Sequence, residues 1–236
     1  MFKNKNTVCI IPARGGSKRI PRKNITPLNG IPLLSYTIRA ALASGIFDEI
    51  YVSTEDSEIA ELAINENVLV DYRPLSLAGD FITKVQVVKE FLERKNGVEK
   101  YSTITALLPT CPFRTGKHIM EANDIFNNNP ELPFLIGVTQ YEFPIQLALS
   151  PDIGDVMLVT FEDGYKTTRS QDIPLRFHPN GAIYMATVPA FMENGSFFSK
   201  KMLTYKMSAI HSFDIDFPYQ FQIAEIIAKN IHQHEY

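Results

Sequence analysis

The sequence predicts an α/β fold in which helices cover both faces of a doubly wound, mostly parallel sheet. Short apolar runs alternate with helical patterns through the first two-thirds of the chain, and the connections between them are short. The chain has 236 residues, of which 45% are hydrophobic, enough to bury one sizeable core. We therefore expect a single domain over residues 1–236.

Short apolar runs of this kind are typical of strands that are buried on both faces. The predicted strands span residues 7–11, 50–52, 68–72, 102–108 and 134–139, and regular structure returns at 181–185. The predicted helices run over 33–44, from 53–56 to 65, from 83 to 95, over 115–127, and from 216 or 218 to 231. Gly45 ends the first helix, and capping-box patterns at Ser53 and Thr83 open the second and third.

Residues 141–178 interrupt the alternation of strands and helices, because they are rich in proline, glycine and charged residues and contain only short apolar runs. A connection of that length is uncommon in a compact domain unless it is functional. We therefore expect an excursion that serves as a lid, a substrate flap or an arm for oligomerisation.

Composition argues against several classes of protein. The net charge of −3 does not suggest general nucleic-acid binding, and no stretch approaches the roughly 20 apolar residues of a membrane span. The first apolar run is too short, and too soon followed by charge, for a signal peptide. Cys9 and Cys111 lie in apolar contexts typical of reduced, structural thiols. These features predict a cytoplasmic protein.

Positive charge is concentrated near the N-terminus. Residues 1–47 contain eight Lys or Arg and no Asp or Glu, and five of the eight lie between Arg14 and Lys23. In a mildly acidic protein, such a cluster around a glycine pair suits a small polyanion.

The loop that follows the first strand carries this charge, and it comprises Ala13, Arg14, Gly15, Gly16, Ser17 and Lys18. Paired glycines let a backbone turn tightly and bring its N–H groups against a ligand. Ser17 adds a hydroxyl, Lys18 a point charge and Arg14 a planar fork suited to phosphate oxygens. The spacing matches neither a Walker loop nor a dinucleotide fingerprint. The loop predicts a phosphate site, and the alternative is a basic surface turn.

A second motif, Asp214-Ile215-Asp216, precedes the last helix. If this segment is extended, both carboxylates point to one side and can hold a hard cation such as Mg²⁺. The alternative is a helix N-cap plus a surface aspartate.

Two further groups of polar residues are candidates for binding. Arg73, at the end of the third strand, could contact the edge of a base or form a salt bridge. Gln171, His178 and Asn180, together with Tyr184, crowd the end of the excursion and could bind a polyhydroxylated substrate. A lone histidine such as His178 is more often structural.

Taken in order, the motifs resemble those of the acylneuraminate cytidylyltransferases, also called CMP-sialic acid synthetases. The matching segments are residues 11–25 (IPARGGSKRIPRKNI), 52–56 (VSTED), 73–74 (RP), 109–114 (PTCPFR), 171–174 (QDIP), 180–184 (NGAIY) and 214–216 (DID). The resemblance covers the whole chain and implies a Rossmann-like nucleotidyltransferase fold. It also implies a homodimer in which 141–178 is the dimerisation element.

The resemblance implies a role for each group of residues. Arg14, Ser17 and Lys18 would hold the triphosphate of CTP, and Asp214 and Asp216 would bind Mg²⁺ or Mn²⁺. Catalysis would rest on Arg14, Lys18 and the two aspartates. The nucleotide would contact Ala13, Gly15, Gly16, Asn24, Arg73, Gly79 and Thr83. The acidic sugar would contact Leu108, Thr110, Arg114, Gln146, Gln171, His178, Asn180 and Tyr184, with Phe197 and Phe198 supplied by a partner subunit.

Three positions near the expected sugar site depart from the sialic acid pattern. They are Leu108 in place of Gln, Gln146 in a segment that often carries Lys, and His178 in place of Arg. The segments FPIQ at 143–146 and RSQD at 169–172 are closer to the pseudaminic acid branch, whereas NGAIY is closer to the sialic acid branch.

The sequence therefore predicts an enzyme that joins CTP to a nine-carbon keto-acid sugar, with pseudaminic acid favoured, and releases pyrophosphate. N-Acetylneuraminate and legionaminate are the alternative sugars. A glycosyltransferase with an Asp-x-Asp motif and a non-catalytic nucleotide-binding protein are alternatives of other classes. No side chain stands out as the general base.

Overall fold

A seven-stranded sheet forms the centre of the protein in a computed structural model that describes residues 6–161 and 163–231. The strands are β1 (Asn6–Pro12), β2 (Pro27–Leu28), β3 (Ile31–Pro32), β4 (Glu49–Thr54), β5 (Leu69–Tyr72), β6 (Tyr101–Ala106), β7 (Phe134–Gln140), β8 (Leu149–Pro151), β9 (Met157–Val159), β10 (Phe177–Thr187) and β11 (Leu203–Lys206). The helices are α1 (Leu33–Ser44), α2 (Ser57–Asn65), α3 (Lys84–Arg94), α4 (Gly97–Lys100), α5 (Gly116–Asn127), α6 (Val188–Asn194) and α7 (Pro218–Ile231).

The strand order of the large sheet is β11-β7-β10-β6-β1-β4-β5. Only β10 runs antiparallel to its neighbours, β6 and β7, while the other adjacent pairs are parallel. The mostly parallel sheet predicted from the sequence is therefore confirmed. Short hairpins β2–β3 and β8–β9 lie outside this sheet.

Both faces of the sheet are buried, as the continuous apolar runs require. Along β1, Cys9 and Ile11 pack into a core with α1, α2 and α5. The alternate residues Val8 and Ile10 pack into a second core with α3 and α6 on the opposite face. This alternation confirms the doubly wound arrangement. Cys9 and Cys111 are free and buried, as predicted.

A third, smaller apolar cluster joins distant parts of the chain. Ile20, just after the basic loop, and Ile215 from the Asp-x-Asp segment both pack there, against Ala224 and Ala228 of α7. The cluster therefore anchors the two segments that the sequence marks as functional beside each other.

The start of α2 differs from the prediction. Parallel pairing with β1 and β5 keeps Ser53 and Thr54 in strand β4, so the helix begins only at Ser57. The N-cap is Asp56, whose carboxylate accepts hydrogen bonds from the N–H groups of Glu58 and Ile59 at 3.0 and 3.1 Å. The capping box at Thr83 is confirmed at the start of α3.

Other differences concern short or edge elements. The prediction missed the hairpin β2–β3, the short helices α4 and α6, and the edge strand β11. Each is too short to show a clear period in the sequence. Strand β10 begins at Phe177, earlier than predicted, and a register shift lies between Pro179 and Tyr184.

The excursion contains the hairpin β8–β9 and short 3₁₀ turns. Its last two positions, 177–178, belong to β10, so they are part of the sheet instead. Of the expected single domain 1–236, residues 1–5, 162 and 232–236 lie outside the described part. Among the described residues, none of the helices has both the length and the apolar character that crossing a membrane would require.

Candidate active site

A cleft of about 700 Å³ opens beyond the carboxyl ends of β1 and β6. Ligands of open α/β sheets bind at this edge, where successive connections leave the sheet in opposite directions. The predicted site residues that line the cleft are Arg14, Ser17, Asn24, Arg73, Gly79, Thr83, Leu108, Thr110, Asp214 and Asp216. Segments far apart in the sequence therefore meet in one concave site.

The loop after β1 is held in shape by its own hydrogen bonds. The N–H of Ser17 donates to the carbonyl of Gly15 at 3.1 Å, and the amide of Asn24 donates to the carbonyl of Arg14 at 2.9 Å. The N–H of Gly15 donates to Glu55 Oε1 at 2.8 Å. Asn24 therefore shapes the loop and lines the cleft.

Gly15 and Gly16 are adjacent in the sequence and were interpreted together, but the atoms around them differ. Neither has the left-handed backbone that favours glycine. A Cβ on Gly15 would collide with the carboxylate of Asp56, whereas a Cβ on Gly16 would meet no atom within 4 Å. Glycine is thus required at position 15 because the Asp56 side chain approaches its backbone closely. The tight turn expected from the sequence does not explain this requirement.

Two cations of the loop converge on one carboxylate. Arg14 Nη1 contacts Asp80 Oδ1 at 2.9 Å, and Lys18 forms an ion pair with the other oxygen. The hydrogen bond from Lys18, together with Arg14, lowers the pKa of the Asp80 carboxyl. Arg14 and Lys18 also line a recess of about 280 Å³ that adjoins Asp216. The two side chains can therefore hold one anionic group between them.

The sequence allowed Arg73 either to contact the edge of a base or to form a salt bridge, and in the structure it forms a salt bridge. Its Nη2 and Nε atoms donate to Glu55 Oε2 at 2.6 and 2.9 Å, and the side chain is almost fully buried. Because Glu55 also accepts from the N–H of Gly15, Arg73 supports the loop while lining the cleft.

The Asp-x-Asp segment is tied to both halves of the cleft. The N–H of Ile215 donates to the carbonyl of Thr110 at 2.9 Å. Lys23 Nζ donates to the carbonyl of Ile215 at 2.7 Å and to Asp216 Oδ1 at 3.0 Å. Ile215 is buried, and both aspartates line the cleft, as alternation predicts for an extended segment.

The two aspartates differ electrostatically. Burial raises the pKa of the Asp214 carboxyl above its usual range, and the charge of Asp216 adds to this effect, against a hydrogen bond from Thr110 and the charge of Lys23. Asp216 is half-exposed and pairs with Lys23 and Arg19. The negative charge of ionised Asp214 is therefore compensated less by neighbouring positive charge than that of Asp216.

Several predicted sugar residues lie outside the cleft. Arg114 is buried beneath it, where its Nη1 atom donates to the carbonyl of Ala182 at 2.8 Å. Asn180 is also buried, and its amide donates to Ser212 Oγ at 2.9 Å while its oxygen accepts from the N–H of Ala182. These two side chains hold the backbone around β10 and do not face the cleft.

The excursion residues form a separate group. Gln146 donates to the carbonyl of Pro174 at 2.6 Å, and Gln171 lines a different hollow, formed by residues of the excursion. His178 packs its ring at 4.6 Å from that of Tyr141. The structure does not bring these side chains into the cleft of this chain.

Phe197 and Phe198, which the resemblance implies are supplied by a partner subunit, lie beside Tyr184 of their own chain. Phe197 is buried in its own chain, with ring centroids 5.6 Å from Tyr184 and 4.7 Å from Phe191. Phe198 is partly exposed beside Tyr184. Burial raises the pKa of Tyr184 to about 12, so its hydroxyl stays protonated at neutral pH.

Sequence reasoning missed three charged residues of the site. Lys23 lay within the basic run, but its bond to Asp216 joins residues 193 positions apart and has no local signal. Asp80 and Lys84 line the cleft from the loop before α3 and from its first turn. The capping box at Thr83 predicted where α3 begins along the chain. It did not show that this end of α3 lies at the cleft.

Comparison with known proteins agrees with this geometry. The profile of a family described as cytidylyltransferase matches residues 8–230. A pseudaminic acid cytidylyltransferase of Campylobacter jejuni is 36% identical over 96% of this chain and 97% of its own length. This chain belongs to the cytidylyltransferase family. The predicted family is therefore confirmed, and the chain is an enzyme of this class.

Other cytidylyltransferases are more distant. The N-acylneuraminate cytidylyltransferase of Streptococcus agalactiae is 32% identical over 89% of this chain but only 50% of its own length. A solved structure of CMP:2-keto-3-deoxy-manno-octonic acid synthetase complexed with CTP superposes with a TM-score of 0.72, covering 96% of this chain and all of its own, at 14% identity. That likeness confirms the predicted nucleotidyltransferase fold.

The environments of the loop glycines predict unequal effects of alanine. Gly15→Ala should destabilise the protein by about 1–3 kcal/mol, because the new Cβ displaces Asp56 from Arg22 and from the α2 N-terminus. Gly16→Ala is the matched control and should change stability by less than about 0.5 kcal/mol. Urea unfolding measures both, and equal losses would contradict this account of the loop.

The raised pKa of Asp214 predicts a stability cost at neutral pH. A carboxyl whose pKa is raised by folding favours the folded state below its ordinary pKa, and this contribution is lost as pH rises through the raised value. Asp214→Asn should therefore raise the melting temperature of the ligand-free protein at pH 7.

Asp216→Asn is the control, because it removes ion pairs with Lys23 and Arg19 and should not stabilise the fold. Thermal unfolding at pH 7 and pH 4 separates the two variants. A lower melting temperature for Asp214→Asn at pH 7 would contradict the assignment of Asp214 as a costly buried charge.

Proposed function

We propose that this cytidylyltransferase joins CTP to an acidic nine-carbon keto sugar, with pseudaminic acid favoured, giving the CMP-sugar and pyrophosphate. The observation that carries the proposal is the meeting of a basic loop and a pair of aspartates in one cleft. The loop suits a triphosphate, and the aspartates suit a cation that binds phosphate oxygens.

In this proposal, the side chains of the loop bind the triphosphate. Arg14 and Lys18 already hold one anionic group, the carboxylate of Asp80, and Ser17 lines the cleft beside them. Both cations offset the charge that develops on pyrophosphate as it leaves. Asn24, Arg73, Gly79 and Thr83 line the remainder of the cleft and position the nucleoside, while Ala13 and the two glycines shape the loop.

Asp214 and Asp216 fit a divalent cation, Mg²⁺ or Mn²⁺. Their oxygen ligands are of the kind that Mg²⁺ prefers, and burial leaves the charge of Asp214 poorly compensated. The described residues contain no group of three or more His, Cys, Asp or Glu side chains placed to hold a metal, so phosphate and water oxygens would have to supply the remaining ligands. The ion would neutralise phosphate charge and lower the pKa of the attacking hydroxyl.

The chain contributes mainly by positioning and by compensating charge. The anomeric oxygen of the sugar forms a bond to the α-phosphorus, the bond from that phosphorus to the pyrophosphate oxygen breaks, and the hydroxyl proton is released. Lys23 holds Asp216 in place, and Thr110 holds Ile215, so the aspartates keep their position during this exchange. The general base stays unassigned.

The sugar should lie against Leu108 and Thr110, which line the cleft. Pseudaminic acid is favoured because the FPIQ and RSQD segments resemble that branch and because the Campylobacter jejuni relative carries that name. N-Acetylneuraminic and legionaminic acids are the competing substrates. We place the reaction in the cytoplasm.

We also propose that the protein is a homodimer formed through the excursion. This segment exposes a set of apolar side chains that includes Phe143, Leu149, Ile153, Met157, Leu158 and Val159. Exposed apolar groups this dense mark an interaction surface, and β8–β9 is a two-stranded hairpin, which is marginal alone. A second copy of the chain could also bring Gln146, Gln171 and His178 towards the sugar.

The proposed reaction predicts pyrophosphate release only when CTP, Mg²⁺ and a nonulosonic acid are all present. Coupled detection of pyrophosphate with pseudaminic, N-acetylneuraminic and legionaminic acids should give the highest kcat/KM for pseudaminic acid. Asp216→Asn should reduce kcat at least about a hundredfold while leaving a folded protein.

Other outcomes of this assay would change the substrate, the metal role or the reaction assigned to the enzyme. A preference for another acid would change only the substrate, whereas near-normal turnover of Asp216→Asn in saturating Mg²⁺ would refute the metal role. No release with any acid would overturn the proposed function. Release from CTP without sugar would indicate hydrolysis, and a requirement for a finished sugar nucleotide would indicate a glycosyltransferase.

The dimer proposal predicts that a charge on the excursion separates the subunits. Leu158→Asp should convert the dimer to a monomer in light scattering, because a buried unpaired carboxylate opposes association. Ile64→Asp, on the exposed face of α2, is the matched control and should stay dimeric. A monomeric wild-type protein at micromolar concentration would contradict the proposal.

A further inference from the structure

Among the positively charged side chains that line the cleft, Lys84 differs from the others. Arg14 pairs with Asp80, Lys23 with Asp216 and Arg73 with Glu55. Lys84 also lines the cleft, yet within residues 6–161 and 163–231 it forms no ion pair or hydrogen bond. Its positive charge is therefore available to a ligand.

The position of the Lys84 ammonium is defined by an aromatic wall. Its Nζ lies 4.1 Å from the ring centroid of Tyr184 and 6.0 Å from that of Phe198. Such cation–π contacts hold an ammonium in place without neutralising its charge. Lys84 is the first residue of α3, so the positive end of that helix dipole adds to the local potential.

Lys84 is also close to the proposed metal ligands. Burial lowers the pKa of its ammonium, and the negative charge of Asp214 opposes that effect. Asp214 is therefore within electrostatic range, although it does not form an ion pair with Lys84. A half-buried ammonium in this position gains from any anion that approaches it from the cleft.

The chemistry of the acceptor determines which anion fits. In a keto-acid sugar, the anomeric carbon carries both the attacking hydroxyl and the carboxylate. If Asp214 and its cation lie beside the hydroxyl, the carboxylate must lie in the immediate neighbourhood. Lys84 is the unpaired cation in that neighbourhood among the described residues.

We propose that Lys84 binds the carboxylate of the sugar and so makes the enzyme specific for acidic acceptors. This inference rests on the proposed function and goes beyond it, because it assigns the group that distinguishes an acidic sugar from a neutral one. Specificity arises because a neutral analogue leaves the ammonium buried without a partner.

The test compares pseudaminic acid with its C1 amide in the pyrophosphate assay. Wild-type enzyme should prefer the acid, and Lys84→Met should raise the KM for the acid about tenfold or more, since one charge-assisted bond is lost. The KM for CTP should change by less than about twofold. The preference for acid over amide should largely disappear, and Lys84→Arg should restore part of it.

Lys89→Met is the control, because Lys89 lies on the same helix but is half-exposed and pairs with Glu93 at 3.9 Å. It should keep wild-type values for both sugars. If Lys84→Met keeps the wild-type preference for the acid, or raises the KM for CTP instead, the carboxylate role is refuted while the proposed reaction stands. If wild-type enzyme turns over no acidic sugar, the proposed function fails first, and this inference fails with it.

Discussion

The cleft depends on the bond between Lys23 and the Asp-x-Asp segment. Lys23 follows the basic loop near the N-terminus, while Ile215 and Asp216 precede the last helix. The ammonium holds a backbone carbonyl and a carboxylate at once, and Ile20 and Ile215 share an apolar cluster beneath. Without this link, the segment proposed to bind phosphate and the segment proposed to bind the cation would have no fixed separation.

The arrangement of charge in the cleft follows from this constraint. Most cations there have a carboxylate partner from another segment, so the ligand-free site is close to electrically balanced locally. Two charges are exceptions, Asp214 and Lys84, and burial shifts the pKa of each towards its neutral form. Such opposed, poorly compensated groups are typical of sites that complete their coordination with a ligand.

Local patterns in the sequence were sufficient to predict the sheet, the helices on its two faces and the loop after β1. They also predicted that Asp214 and Asp216 face one site, and both side chains line the cleft while Ile215 between them is buried. Local patterns do not show what depends on long-range packing. Arg114 and Asn180 have residue types that suit sugar binding, yet their hydrogen bonds to backbone and to Ser212 direct them inwards. Lys84 could not be found, because nothing local shows that α3 begins at the cleft.

The contact of Asp80 with Arg14 and Lys18 has a consequence for how the site meets its ligand. Arg14 is held by this carboxylate before a nucleotide arrives, whereas Lys18 pairs with it but stays largely exposed. For the more buried Arg14, part of the entropy of fixing the side chain is therefore lost on folding, and binding need not supply it again. Entry of a phosphate group would exchange one anion for another around these two cations, and Arg14 is already oriented to receive it.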